Sequence, residues 1–414
     1  MLELAILEQV IADQRQNFIA KDPGIDREID FDKYKKTNQI TVISGIRRSG
    51  KSTLLKQFSA FYPDYYYLTF DDERLASFQV KDFSTLMLAF SKTGPARTIL
   101  LDEIQNVAGW ERFVRRLYEE GYKIFITGSN AKLLGSELAT HLTGRYFKID
   151  LYPFSFREFL MFNKVSLEDK TTNGQALVLK SFDDYLSNGG FPEYLKYGDK
   201  EFIKRAYEDI LFKDIITRFK IRSGASFKQL ALYLFTNIGK EIGYNSLKNI
   251  LGYKSVISVK KHLGYLAEAF LLFELCKYDY SLKRQFVSNK KIYAVDNGLR
   301  NEVAFSFSED KGRLLENAVF IELKRRGQEI FYFKGKKECD FLIKEKNKIV
   351  SLLQVTTLLT ADNEEREVSG LAEAANKSGL DYGTIITLSQ EKKLYHQNVT
   401  IMVIPAWKWF VARK

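Results

Sequence analysis

The run GIRRSGKS at residues 45–52 constrains this chain more than any other stretch, because it follows an apolar strand pattern, ITVIS, and opens a helical one at Lys51. Glycines at 45 and 50 let the loop curl until successive backbone N–H groups point inward, and the positive end of the following helix adds to their field. Strand, loop and helix in this order imply a parallel sheet carrying a phosphate cradle built from Gly45, Ile46, Arg47, Arg48, Ser49, Gly50, Lys51, Ser52 and Thr53. In such a cradle Lys51 bridges the β- and γ-phosphates of ATP, and Ser52 offers its hydroxyl to Mg²⁺.

The surrounding sequence supplies the sheet. Short apolar runs at ITVISG (40–45), YYYLTF (65–70), TILLDE (98–103), KIFITG (123–128) and YFKIDL (146–151) alternate with helical patterns, clearest at 51–59 and 110–120. That alternation is the mark of an α/β fold. TILLDE buries its apolar run and brings Asp102 out at its carboxyl end, where it holds Mg²⁺ through a water; Glu103 follows, placed to orient the attacking water. Ser129 and Asn130 end the next strand within reach of the γ-phosphate, and Arg145 precedes the last one, with a guanidinium able to stabilise the transferred phosphoryl from within the chain or from a neighbouring subunit.

With 414 residues the chain is long enough for about three domains. After the α/β unit, 155–222 reads as helical throughout, broken at SNGGFPEY (187–194), and suits a helical lid. From 223 to 300 helical patterns at 227–237, 245–251 and 255–268 precede strand-like runs at 270–278 and 285–295, which is winged-helix order. The remainder, 301–414, opens with an amphipathic helix at 312–326 and continues with strands at 329–333, 339–345, 349–357, 383–389 and 399–405 around a helix at 364–378, a second, smaller α/β unit.

GIRRSGKS, TILLDEIQNVAGWE, FITGSN, LTGRYFKIDLYPFSFREF and GGFPEYL together resemble a prokaryotic family of AAA-type ATPases with a carboxyl-terminal domain similar to restriction endonucleases; IYAVDNGLRN (292–301) and LLENAVFIELKRRG (314–327) extend the likeness over nearly the whole chain. The resemblance implies that Lys51, Ser52, Asp102 and Glu103 are the Walker residues, that the tip at Ser129 and Asn130 is the sensor, and that Arg145 is the finger arginine.

The formal net charge of +11 is concentrated: residues 216–300 hold 15 Lys and Arg against 5 Asp and Glu. The third helix of the winged-helix pattern carries Lys254, Lys260 and Lys261, and the following turn carries Lys283 and Arg284, with Lys290 and Lys291 just beyond. In a winged helix these positions are the recognition helix and the wing, so DNA is the expected partner. A protein partner is the alternative, with ATP closing a lid and hydrolysis acting as a slow timer.

A restriction-type nuclease holds Mg²⁺ with carboxylates on adjoining strands and adds a lysine. Here Glu316 lies on the opening helix, Glu338 and Asp340 start the strand ECDF, and the next strand, LLQVTT, puts Gln354 where an acid belongs and Thr356 where the lysine belongs. A neutral amide is a weaker metal ligand and threonine carries no charge, so the expectation is a nuclease-like fold with little or no cleavage, unless Lys334, Lys336 or Lys337 serves instead.

Other signals exclude more than they assign. Two cysteines, Cys276 and Cys339, cannot build a disulfide framework, the amino terminus lacks a signal-peptide pattern, and the densest apolar run, 267–275, is far shorter than the ~20 residues of a bilayer span. His141, His262 and His396 show no metal-ligand spacing. The sequence thus leads to a cytoplasmic, oligomeric, ATP-hydrolysing AAA-type protein using ATP and Mg²⁺ and acting on DNA rather than at a membrane.

Overall fold

Strands whose successive residues point to opposite faces, with apolar side chains on both, feed two cores at once. In β1 (Ile40–Gly45) Val42 faces one core and Ile43 the other; in β3 (Thr98–Asp102) Ile99 and Leu101 oppose Leu100, and in β4 (Lys123–Ser129) Ile124 and Ile126 oppose Phe125. Helix α1 (Leu4–Ala20) contributes Leu7, Val10 and Ile11 to the first core and Phe18 to the second. The short α2 (Phe31–Lys36) precedes β1, and α3 (Lys51–Ser59) fills the second core with Leu54, Leu55 and Phe58. After β2 (Tyr65–Thr69), α4 (Phe83–Ser91) and α5 (Trp110–Glu119) cover the first core. With β5 (Tyr146–Leu151) the sheet runs β2-β3-β4-β1-β5, every neighbouring pair parallel.

This is the first of two compact units, Met1–Tyr152 and Pro153–Lys414. The molecule is a computed structural model that describes residues 2–129, 142, 144–305 and 310–412, so Asn130 and His141 lie outside the described residues.

The helical stretch after Pro153 belongs to the second unit. Helices Phe156–Phe162, Thr172–Asn188, Pro192–Tyr197 and Glu201–Asp209 lead into π-helical turns at Ile210–Thr217. Their buried side chains are used there: the rings of Phe182 and Tyr185 lie 5.4 and 6.3 Å from Phe410 near the carboxyl terminus. The segment read as a helical lid packs by its own aromatic face within the second unit.

Three helices, Gly224–Thr236, Tyr244–Ile250 and Val256–Glu268, accompany β6 (Glu241–Ile242), β7 (Leu272–Cys276) and β8 (Lys290–Ala294) in an antiparallel sheet ordered β6-β8-β7. The run expected to be strand from 285 is in part a helix, Leu282–Val287. Asp279 and Ser281 cause the difference: the Asp279 carboxylate accepts the Ser281 N–H at 2.9 Å and the Ser281 hydroxyl caps the helix, so the chain turns helical before it can extend.

The final region starts with the helix Lys311–Arg325, then β9 (Glu329–Lys334), β10 (Glu338–Glu345) and β11 (Lys348–Val355) as an antiparallel meander. The helix Glu364–Ser378 crosses to β12 (Tyr382–Thr387), parallel to β11; β13 (Lys392–His396) and β14 (Val399–Pro405) complete the order β13-β14-β12-β11-β10-β9. β13, absent from the sequence expectation, is an edge strand whose KKLYH pattern buries too little to read as one.

Candidate functional site

The phosphate loop is fixed where β1 meets its neighbours. Gly45 stands beside Leu151 of β5, and a Cβ added at Gly45 would lie 2.1 Å from the Leu151 carbonyl oxygen, so only glycine fits. Gly50 caps α3 in the left-handed region, φ 93°, a conformation that side chains resist. The Lys51 ammonium donates to the carbonyl oxygens of Gly45 and Ile46 at 3.3 and 3.2 Å, holding the arc of the loop from inside.

Next to this loop lies a buried acid. Asp102 at the end of β3 accepts hydrogen bonds from the Thr127 hydroxyl of β4 and from Ser52. Burial raises its pKa against the pull of those two donors. A divalent cation beside Ser52 and Asp102 would reverse that effect, since opposite charge favours the ionised carboxylate. The hydroxyl and carboxylate are hard oxygen donors suited to Mg²⁺, so the residues present fit that ion. Glu103 follows in the left-handed region, φ 52°, held by its own N–H on the Thr127 hydroxyl at 3.1 Å, and its carboxylate accepts from the Gln105 amide. Strain of this kind persists only where neighbours over-determine it.

Thr127 was not singled out from the sequence, although it precedes the Gly-Ser end of its strand by one residue. Three further residues were missed. The Arg27 guanidinium, buried, donates to the Ser49 carbonyl at 2.9 Å and to the Tyr152 carbonyl at 2.8 Å, and the Gln57 amide donates to the carbonyls of Pro23 and Ile25, so the segment before α2 wraps the phosphate loop. Lys21 sits near enough to Asp102 to feel its charge; burial lowers the lysine pKa and Asp102 opposes that.

Ser129 pairs in register with Gly45, so the backbone at the end of β4 adjoins the phosphate loop. Arg145 is elsewhere. β5 runs parallel to β1, Ile40 donates its N–H to the Arg145 carbonyl, and Gly45 registers with Leu151, which puts Arg145 at the amino ends of the strands, ~20 Å of strand from the phosphate loop. Its guanidinium lies 3.9 Å from the Glu119 carboxylate. A role for Arg145 on its own chain's nucleotide is therefore corrected by parallel pairing.

In the second unit Lys254, Lys260, Lys261 and Lys283 are exposed, and Arg284 is exposed while pairing with Asp279 at 3.2 Å. Lys290 and Lys291, expected beside them as phosphate contacts, are buried. Lys290 donates to the Gln285 carbonyl, and Lys291 to Glu316, Glu338 and Asp340 at 3.0, 2.6 and 2.9 Å. The nuclease-like residues are thus brought together, around a lysine that the sequence pattern placed on a DNA-facing wing. Lys334 pairs with Glu241, and the backbone N–H groups of Lys336 and Lys337 donate to Glu373, while Thr356 donates to the Leu358 carbonyl. His262 packs against Phe227 and hydrogen-bonds Tyr253, a packing role. Among the described residues no group of His, Cys, Asp and Glu is arranged to hold a metal ion, and no helix is long and apolar enough to cross a membrane.

A five-stranded parallel sheet with this loop and this buried acid defines a P-loop AAA-type ATPase domain, and residues 37–160 match the family model described as an AAA domain. Residues 179–310 and 311–409 match two domains of unknown function, DUF8612 and DUF4143. The chain belongs to the same family as an uncharacterised protein of Methanocaldococcus jannaschii, to which it is 36% identical over 432 residues covering 99% of this chain and 96% of that protein. A second uncharacterised relative, from Haemophilus influenzae, is 34% identical over 77% of this chain and 82% of its own length. Among solved structures, the replication initiator DnaA bound to AMPPCP and single-stranded DNA aligns with 57% of this chain and 85% of its own, at 17% identity and a TM-score of 0.26.

Proposed function

We propose that this protein hydrolyses ATP with Mg²⁺ at the loop Gly45–Thr53 and couples turnover to remodelling of, or movement on, DNA. The observation that carries the first half is the hydrogen-bonded set Ser52–Asp102–Thr127 with Glu103 held next to it. Lys51 takes the β- and γ-phosphates, Ser52 and Asp102 the cation, and Glu103 the proton side of the attacking water, and the sequence motif at Ser129 and Asn130 is read as the sensor. Bound Mg²⁺ supplies charge neutralisation on the phosphate oxygens. Arg145, distant from its own loop, serves the nucleotide of a neighbouring subunit in a homo-oligomer. Mixing Arg145→Ala with Lys51→Ala chains tests this: recovered turnover in the mixture supports it, and two inactive parents that stay inactive together overturn it.

The DNA half rests on the β6-β8-β7 sheet with its three helices, read as a winged helix, and on exposed Lys254, Lys260, Lys261, Lys283 and Arg284. The region 311–409 is read as a restriction-endonuclease-like domain without cleavage. The test is steady-state ATP turnover with and without single-stranded, duplex and branched DNA at two salt concentrations. Stimulation that weakens with salt supports the reading, since phosphate contacts are salt-sensitive.

A second reading is favoured by a different observation. Tyr280, Leu282, Phe286 and Val287 are 81, 67, 70 and 75% exposed on and beside one short helix, more apolar surface than phosphate contact requires. It makes the protein an ATP-dependent switch that binds a protein partner. Capture of a stoichiometric partner by Glu103→Gln protein, with no DNA affinity, supports it.

A further inference from the structure

Three carboxylates from two elements converge on one ammonium supplied by a third. Glu316 comes from the helix Lys311–Arg325, Glu338 and Asp340 from β10, and Lys291 from β8, with the lysine side chain only 3% exposed. The Tyr293 hydroxyl also donates to Glu316, at 2.6 Å. Burial by itself pushes the ammonium toward its neutral form; Tyr293 and the three carboxylates outweigh it, and the lysine is held charged. Glu316 has its pKa pushed up to about 7, by burial first and by Asp340 second.

The polar atoms of Asp340 and Gln354 that do not face Lys291 are bonded inside the domain. The second Asp340 oxygen accepts the Val355 N–H at 3.0 Å, and the Asp340 N–H donates to the Gln354 side-chain oxygen at 3.1 Å. The Gln354 amide nitrogen donates in turn to Glu367 at 2.6 Å, so both ends of the side chain at the acid position are bonded inside the domain.

We propose that Lys291 is the resident cation of the Glu316–Glu338–Asp340 cluster, standing where a divalent metal would otherwise bind, so that the cluster joins β8 to the last sheet and takes up neither Mg²⁺ nor Mn²⁺. The proposal rests on the nuclease-like reading of 311–409 and goes beyond it: an amide in the acid position at 354 weakens a metal site, whereas a tethered ammonium fills it. Unlike a captured ion, the tethered group cannot be chelated away, and it compensates buried carboxylates that would be costly alone.

The test is Mn²⁺ titration of the nucleotide-free full chain, read by electron paramagnetic resonance, for the parent, Lys291→Met and Lys291→Met/Asp340→Asn. The expected result is no Asp340-dependent Mn²⁺ in the parent, one added ion per chain in Lys291→Met, and its loss in the double variant. A parent that binds Mn²⁺ and loses it on Asp340→Asn overturns the proposal, as does a folded Lys291→Met that gains none. If Lys291→Met is too unstable to purify, Lys291→Met/Glu316→Gln, which keeps two carboxylates, takes its place in the titration: a gained ion supports the proposal and no gain overturns it. Plasmid cleavage is scored separately: cutting by the parent that disappears with Asp340→Asn sinks the cleavage-free reading of the domain, whichever way the Mn²⁺ titration falls.

Discussion

Lys51 and Lys291 are both buried lysines beside strand-borne carboxylates, and the chain holds them in opposite ways. Lys51 is hydrogen-bonded to carbonyl oxygens of its own loop, and Asp102 accepts from Ser52 and Thr127. Lys291 is ion-paired with Glu316, Glu338 and Asp340. Carbonyl bonds are cheap to exchange for phosphate oxygens, whereas removing one partner from a buried ion cluster leaves uncompensated charge. Two similar constellations therefore serve different ends, recruitment of a ligand in one and cohesion of the fold in the other.

The contrast breaks most visibly on stability. Lys291→Met is expected to cost about 3–5 kcal/mol of unfolding free energy, because three carboxylates lose their cation, while basal ATP turnover of the surviving folded protein is unchanged. Urea denaturation beside a phosphate-release assay measures both, and a variant as stable as the parent would mean that the cluster contributes nothing. Lys51→Met is expected to do the converse: turnover falls about 100-fold to 1,000-fold, the scale for a lost charge-stabilising donor, and the urea midpoint moves far less than with Lys291→Met.

A pH experiment sharpens the same contrast within the second unit. Asp296 accepts the Gly190 and Leu299 N–H groups at 2.7 and 3.0 Å, yet burial pushes its pKa up to about 6. The folded state thus holds this proton more tightly than the unfolded chain. Its contribution is complete below about pH 4 and is lost as pH rises through about 6, a change on the order of 2–3 kcal/mol. The urea midpoint of the parent should therefore fall across that window relative to Asp296→Asn; parallel curves for the two proteins would contradict the assignment. The smallest effect is expected from Thr127→Val, about 1–2 kcal/mol of stability, because Asp102 loses one of its donors while Ser52 remains.

Legibility in the sequence followed the range of the interactions. The phosphate loop, the parallel strands and the helix Glu364–Ser378 were readable because each is fixed by neighbours in sequence, through glycine placement, continuous apolar runs and helical spacing. Lys291 was not, since its partners stand 25 and 49 residues farther along and only the tertiary fold turns a basic strand into a buried ion cluster. Arg145 was legible as a residue and not as a place, because parallel pairing alone decides which end of the sheet it occupies. The helix Leu282–Val287 hid behind an apolar run, although the caps at Asp279 and Ser281 are the stronger local signals.

One guanidinium carries a mechanical consequence. Arg27 grips the carbonyl of Ser49 in the phosphate loop and the carbonyl of Tyr152, the last residue of the first unit. The last residue of the first unit is thereby fixed to the phosphate loop through a single rigid fork. One side chain thus answers for two carbonyls, and losing it would free the phosphate loop and the end of the first unit together.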